Sequence, residues 1–148
     1  MKYVLVSQSF NFIQKRNEVR DFVDIELVSF LKTCNLNVIL VPNNADNLKN
    51  LLKIKGIKGV ILSGGNDIYL NLPKNKKNLK LKQLTNNRNF IEKKLVSFAN
   101  KNRIPVVGIC RGFQYLNILN GGKISKIKNH VAIRHKLNFK KDFKFLKL

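Results

Sequence analysis

The chain is predicted to fold as an α/β protein with a mostly parallel sheet covered by helices on both faces. Short apolar runs at residues 2–7, 36–41, 57–62 and 106–109 read as buried strands, and helical patterns separate them. Strands that alternate with helices of ten or more residues form right-handed βαβ units. The last run also leads directly into Gly-x-Cys-x-Gly, a pattern that belongs at a strand-to-helix turn.

The first strand contains Tyr3, Val4, Leu5 and Val6, and a polar loop is expected over 8–17. From Glu18 to about Cys34, Val19, Phe22, Val23, Leu27, Phe30 and Leu31 recur at helical spacing. Cys34 is expected to be a small buried hydrophobe late in this helix. The second strand, 36–41, is stopped by Pro42, and a short helix is expected over 45–53. The third strand, 57–62, ends at Ser63-Gly64-Gly65-Asn66-Asp67, where Asp67 is a candidate cap. Residues 71–85 read as a Lys/Asn-rich loop, and 87–102 as a helix with Phe90, Ile91, Leu95, Phe98 and Ala99 on one face. Pro105 opens the fourth strand, Tyr115 to Leu119 reads as a helix, and 121–124 as a further strand.

With 148 residues, 44% of them hydrophobic, a single domain is expected. No apolar run approaches the roughly 18 residues of a membrane span. The N-terminus lacks the pattern of a secretory signal. A cytoplasmic protein is therefore expected. Two cysteines in such a chain are poor grounds for a disulfide. The formal charge of +21 raises nucleic acid as a partner. However, the lysines are spread along the chain and accompany 21 Asn and many Ile, the composition an AT-rich genome produces. Nucleic acid is not the expected partner, and attraction of an anionic small molecule is the functional alternative. No metal-ligand cluster or paired-carboxylate constellation is present, and no cofactor is expected.

The chemistry concentrates at Gly108-Ile109-Cys110-Arg111-Gly112-Phe113-Gln114. In an elbow of this kind the nucleophile takes a strained backbone conformation, and flanking glycines let the chain turn tightly around it. The sulfur then stands at the positive end of a helix, where the amide dipoles favour negative charge. The Arg111 N–H points to where an oxyanion would form, and Gly64 or Gly65 of the neighbouring strand end is the natural second donor. Taken singly, the Gly-Gly is also compatible with an ordinary turn, and the Gly-x-Cys-x-Gly with a buried structural cysteine.

These residues resemble a known family. Gly59-Val-Ile-Leu-Ser-Gly-Gly-Asn-Asp67, Arg88-Asn-Phe-Ile-Glu92 and Ile104-Pro-Val-Val-Gly-Ile-Cys-Arg-Gly-Phe-Gln-Tyr-Leu-Asn-Ile-Leu-Asn-Gly-Gly122 look like the class I glutamine amidotransferase-like hydrolases, most of all their γ-glutamyl hydrolase branch. The resemblance implies a flavodoxin-like three-layer fold. It also implies hydrolysis of a γ-glutamyl amide through a glutamyl-thioester on Cys110. Asn129-His130-Val131-Ala132 and His135 look closer to the members that act on γ-glutamyl nucleotide amidates in capsule modification. The resemblance assigns oxyanion N–H groups to Gly65 and Arg111, and substrate-lining or supporting roles to Arg88, Glu92 and Gln114. Gly64 is a further oxyanion candidate, Asn66 a candidate substrate contact, and His130 a substrate contact, a substitute base or a structural residue.

One departure matters. The family's base is a His oriented by a Glu in a late His-x-Glu segment, and no His-x-Glu exists here; the histidines are His130 and His135. A C-terminally shortened chain with exposed sheet edges is therefore expected, self-associating as a homodimer if so. An inactive remnant of the fold and the glutaminase component of an amidotransferase stand as alternatives.

Overall fold

A computed structural model describes residues 1–44, 46–68, 75–125, 127, 133, 134 and 136. Its central sheet has four strands: β1 (Tyr3–Ser7), β4 (Asn37–Val41), β5 (Ile57–Leu62) and β6 (Val106–Gly108). They run in the order β4-β1-β5-β6, and every neighbouring pair is parallel. Helices α1 (Ile25–Thr33), α2 (Leu48–Leu51), α3 (Lys76–Asn102) and α4 (Arg111–Leu119) complete the flavodoxin-like arrangement. The order reverses direction at β1, so the crevice beyond the carboxyl ends of β1 and β5 is where such a sheet places its ligand.

Successive residues of a strand point to opposite faces. Leu5, Val41, Val60 and Leu62 pack on one face against Leu48 of α2, Ile91 and Leu95 of α3, and Tyr115 of α4. Val4, Val6 and Ile61 pack on the other against Leu31 and Leu27 of α1. Among the described residues β6 is a sheet edge, with Val107 54% and Ile109 39% exposed. On the α1 face an apolar groove of about 340 Å³ runs past Phe30, Ile61, Pro105, Val107 and Ile109. No described helix is long and apolar enough to cross a membrane.

Several expectations are corrected. Residues 8–17 and the start of the first helix instead build an antiparallel hairpin, β2 (Ser9–Ile13) with β3 (Glu18–Phe22). Asn17, at φ 48°, turns the chain in the left-handed conformation that Asn tolerates. Val19 and Phe22 fit a helical stripe on paper, but α1 begins only after Asp24, whose carboxylate accepts the Glu26 N–H at 2.9 Å. Replacing that cap, Asp24→Ala, is expected to cost about 1 kcal/mol in urea unfolding.

α3 begins eleven residues before the expected 87, inside what reads as a loop, because Lys, Leu and Gln are good helix formers and Asn75 caps the start by accepting the Asn78 N–H. α2 is shorter than the expected 45–53. Residues 122–125 carry no regular structure, so no strand follows α4 there. Cys34 is exposed rather than buried, because it falls at the C-cap of α1, where the helix ends at the surface.

Candidate active site

β6 delivers the chain to Cys110 at the carboxyl end of the sheet, one strand from the end of β5. The Ile109 N–H donates to the Leu62 carbonyl at 2.9 Å, which holds the strand until the residue before the cysteine. The Gly112 N–H then donates to the Ile109 carbonyl, and the Gln114 N–H to the Cys110 carbonyl at 3.1 Å, closing the first turn of α4. Between them Cys110 sits at φ 51°, ψ −107°, with its side chain exposed. A non-glycine residue held in this sparsely populated region costs about 1–3 kcal/mol, and such strain persists where the surroundings over-determine it. Gly112 is part of that surrounding: a Cβ there would stand 2.6 Å from the Leu62 carbonyl carbon. Only glycine lets α4 start this close to the end of β5.

Across from the elbow lies the Ser63-Gly64-Gly65 loop. A Cβ built on Gly64 would lie 3.6 Å from Cβ of Cys110, so the two strand ends face each other at van der Waals distance. Among the described residues the Gly65 and Arg111 N–H groups have no hydrogen-bond acceptor. Gly65 follows the residue that faces Cys110, and Arg111 follows Cys110 itself.

Beneath this pair lies a buried ionic cluster. Arg88 and Glu92, one helical turn apart on α3, are both 0% exposed. The Glu92 carboxylate accepts from Arg88 Nε and from the Ser7 hydroxyl, each at 2.9 Å, and from a guanidinium N–H of Arg111. Ser7 Oγ in turn accepts the Ser63 N–H at 3.0 Å. Arg111 also donates to Asn89 Oδ1, and its guanidinium lies 5.5 Å from the centre of the Tyr115 ring. The remaining N–H groups of Arg88 donate to the carbonyls of Ser63 and Gly64 at 2.7 and 2.8 Å and to Ser9 Oγ at 2.9 Å. Burial pushes the Arg88 pKa down; Glu92 partly offsets this, and Arg111 adds to it. One carboxylate thus serves two guanidinium groups and joins β1, α3 and α4 at the site.

The structure brings Cys110, Gly64, Gly65 and Arg111 together. Arg88 and Glu92 lie under the loop with no exposed surface, a supporting position rather than one open to a ligand. Asn66 is folded onto the hairpin, its side chain accepting the Phe10 N–H at 3.0 Å and donating to the Phe10 carbonyl at 2.9 Å. Gln114 is exposed one turn into α4, and Asp67 is exposed with no capping bond among the described residues. His130 and His135 lie outside the described residues. Sequence reasoning misses Ser7, Ser9 and Asn89. The available signal is a polar Ser7-Gln8-Ser9 run following a buried strand, at the sheet end where ligands bind.

A doubly wound sheet with a strained, exposed cysteine at the end of one strand and a Gly-Gly loop at the end of its neighbour defines the class I glutamine amidotransferase-like proteins. The chain belongs to the Peptidase C26 family, whose profile matches residues 6–145. It is 36% identical over 86 residues to gamma-glutamyl-CDP-amidate hydrolase of Campylobacter jejuni, covering 58% of this chain and 38% of that protein. It is 32% identical over 107 residues to the putative glutamine amidotransferase-like protein RP404 of Rickettsia prowazekii, covering 71% and 37%. To a component of the glutamine-hydrolysing GMP synthase of Methanococcus vannielii it is 31% identical over 97 residues, covering 66% and 40%. The matched stretch thus spans under half the length of these relatives.

Proposed function

We propose that Cys110 is the nucleophile of a γ-glutamyl amide hydrolase. The Cys110 sulfur attacks the γ-carbonyl carbon, and the oxygen gathers negative charge against the Gly65 and Arg111 N–H groups. The C–N bond breaks, and the amine leaves carrying the proton that the thiol gave up. Water then attacks the thioester, its hydroxyl completing the γ-carboxylic acid of glutamate and its proton returning to sulfur. The observation that carries this mechanism is the exposed Cys110 at positive φ opposite Gly64. A histidine is the expected proton carrier, with His130 also a candidate substrate contact.

For the substrate we favour a γ-glutamyl nucleotide amidate over a simple γ-glutamyl amine. The similarity to the C. jejuni hydrolase supports this, as does a charge of +21, which attracts phosphate groups. On this reading the protein works in the cytoplasm, in capsule modification. In the test, wild type and Cys110→Ala are incubated with both substrate types and glutamate is measured. The variant is expected to release it at least about a thousandfold more slowly. Equal release from the two would remove Cys110 from the mechanism.

A second function, the glutaminase component of a synthase, draws on the similarity to the M. vannielii GMP synthase component. It requires hydrolysis of L-glutamine that rises on addition of a synthase partner. An inactive remnant would release no glutamate in either assay.

A further inference from the structure

We infer that Arg88 and Ser9 are positioning residues that lock the Gly64–Gly65 peptide in the orientation the oxyanion hole needs. The inference rests on the thioester mechanism above and goes beyond it to what sets the hole.

The Gly64 carbonyl accepts from the Ser9 hydroxyl at 2.6 Å and from Arg88 at 2.8 Å. In a trans peptide the C=O and the following N–H point in opposite directions, and the chain holds no cis peptide bond among the described residues. Fixing the Gly64 oxygen on the Arg88 side therefore turns the Gly65 N–H away from that cluster, and it has no acceptor among the described residues.

A lock is needed because the peptide joins two glycines, for which sterics hardly resist a flip. After a flip, the Gly65 N–H would face the Arg88 guanidinium, itself a donor, while the Gly64 oxygen would lose its hydrogen bonds from Ser9, Arg88 and Ser63 and meet the developing negative charge. Ser9 is itself oriented, since its oxygen accepts from Arg88 at 2.9 Å and so presents its O–H to Gly64. The fit is close: Gly65 sits at φ +99°, and any Cβ there would fall on Ser9 Oγ. Asn66, the next residue, is bonded through its side chain to Phe10 of β2, which ties the loop to the strand that carries Ser9. The lock thus runs from the hairpin, through a buried arginine, to the peptide facing Cys110.

The test uses a γ-glutamyl aldehyde. Cys110 adds across its carbonyl to form a C–S bond, the proton ends on the former carbonyl oxygen, and that oxygen occupies the oxyanion position without turnover. Iodoacetamide labelling of Cys110, followed by peptide mass mapping, reports the thiol alone. Ser9→Ala is expected to weaken aldehyde binding about tenfold and Arg88→Met about a hundredfold, with Arg88→Lys between them, while labelling rates stay within about twofold of wild type. Crystal structures of Ser9→Ala and Arg88→Met are expected to show the Gly64–Gly65 peptide flipped or in two orientations. Aldehyde affinity within about twofold of wild type in both variants would overturn the lock, and so would an unchanged peptide in both crystals. If wild type itself ignores the aldehyde, the thioester mechanism fails, and the crystal structures still decide the lock. Ser9→Ala removes one hydroxyl and keeps the ionic cluster, so it serves if Arg88→Met does not fold.

Discussion

Glu92→Gln is expected to lower the unfolding free energy by about 3–5 kcal/mol, read as a lower urea midpoint at unchanged slope. Glu92 is the carboxylate that two buried guanidinium groups share. Glutamine keeps the shape and one acceptor oxygen but leaves Arg88 and Arg111 as uncompensated like charges with almost no exposed surface. Removing one partner of a buried pair costs more than the pair contributes, because the remaining ion stays desolvated. Domains of this size have about 5–15 kcal/mol of stability in total, so the variant is expected to be near unfolding at growth temperature. A triple variant with Met at 88, 92 and 111 is expected to recover much of the loss in stability, since it removes the charges together. A Glu92→Gln midpoint equal to wild type would show that the carboxylate does not compensate the two arginines.

Gly112→Ala is expected to cost about 3 kcal/mol and to change the reactivity of Cys110. The added methyl group meets the carbonyl and Cβ of Leu62, and neither can withdraw, since Leu62 is fully buried in the central strand β5. The start of α4 must move instead, carrying Cys110 with it. Urea unfolding measures the first effect. The iodoacetamide rate at Cys110 measures the second, on a Cys34→Ser background because both cysteines are exposed. Wild-type values for both would mean that α4 has room at the end of β5.

Much of the scaffold is legible because a buried parallel strand leaves a plain trace. Tyr3–Ser7, Asn37–Val41 and Ile57–Leu62 are near-continuous apolar runs, and each forms a strand within a residue or two of its expected place. The hairpin is not legible. Phe10 and Phe12 alternate as a strand should, but β2 and β3 pair only with each other, outside the main sheet, so their pattern is weak. Val19 and Phe22 also fit a helix spacing that continues into α1. The early turns of α3 are hidden because an exposed, lysine-rich helical surface has the composition of a loop.

The elbow follows from local sequence. Gly108, Cys110 and Gly112 form one where a strand runs into a helix, because only glycine tolerates the close approaches on either side. The sheet class and the Gly64-Gly65 partner loop are written in the chain in the same way. What Arg88, Glu92 and Arg111 do is settled by tertiary contacts instead. As residue types they suit a substrate pocket as well as a buried cluster. The burial of Arg88 and Glu92 beneath the loop, and of Arg111 against them, is set by how α3 and α4 cross the ends of β1 and β5. Ser9 lies two residues beyond β1, but its contact with Gly64 exists only because β5 pairs beside β1 and ends next to it. That contact joins residues 55 positions apart, a separation at which local sequence pattern carries no signal.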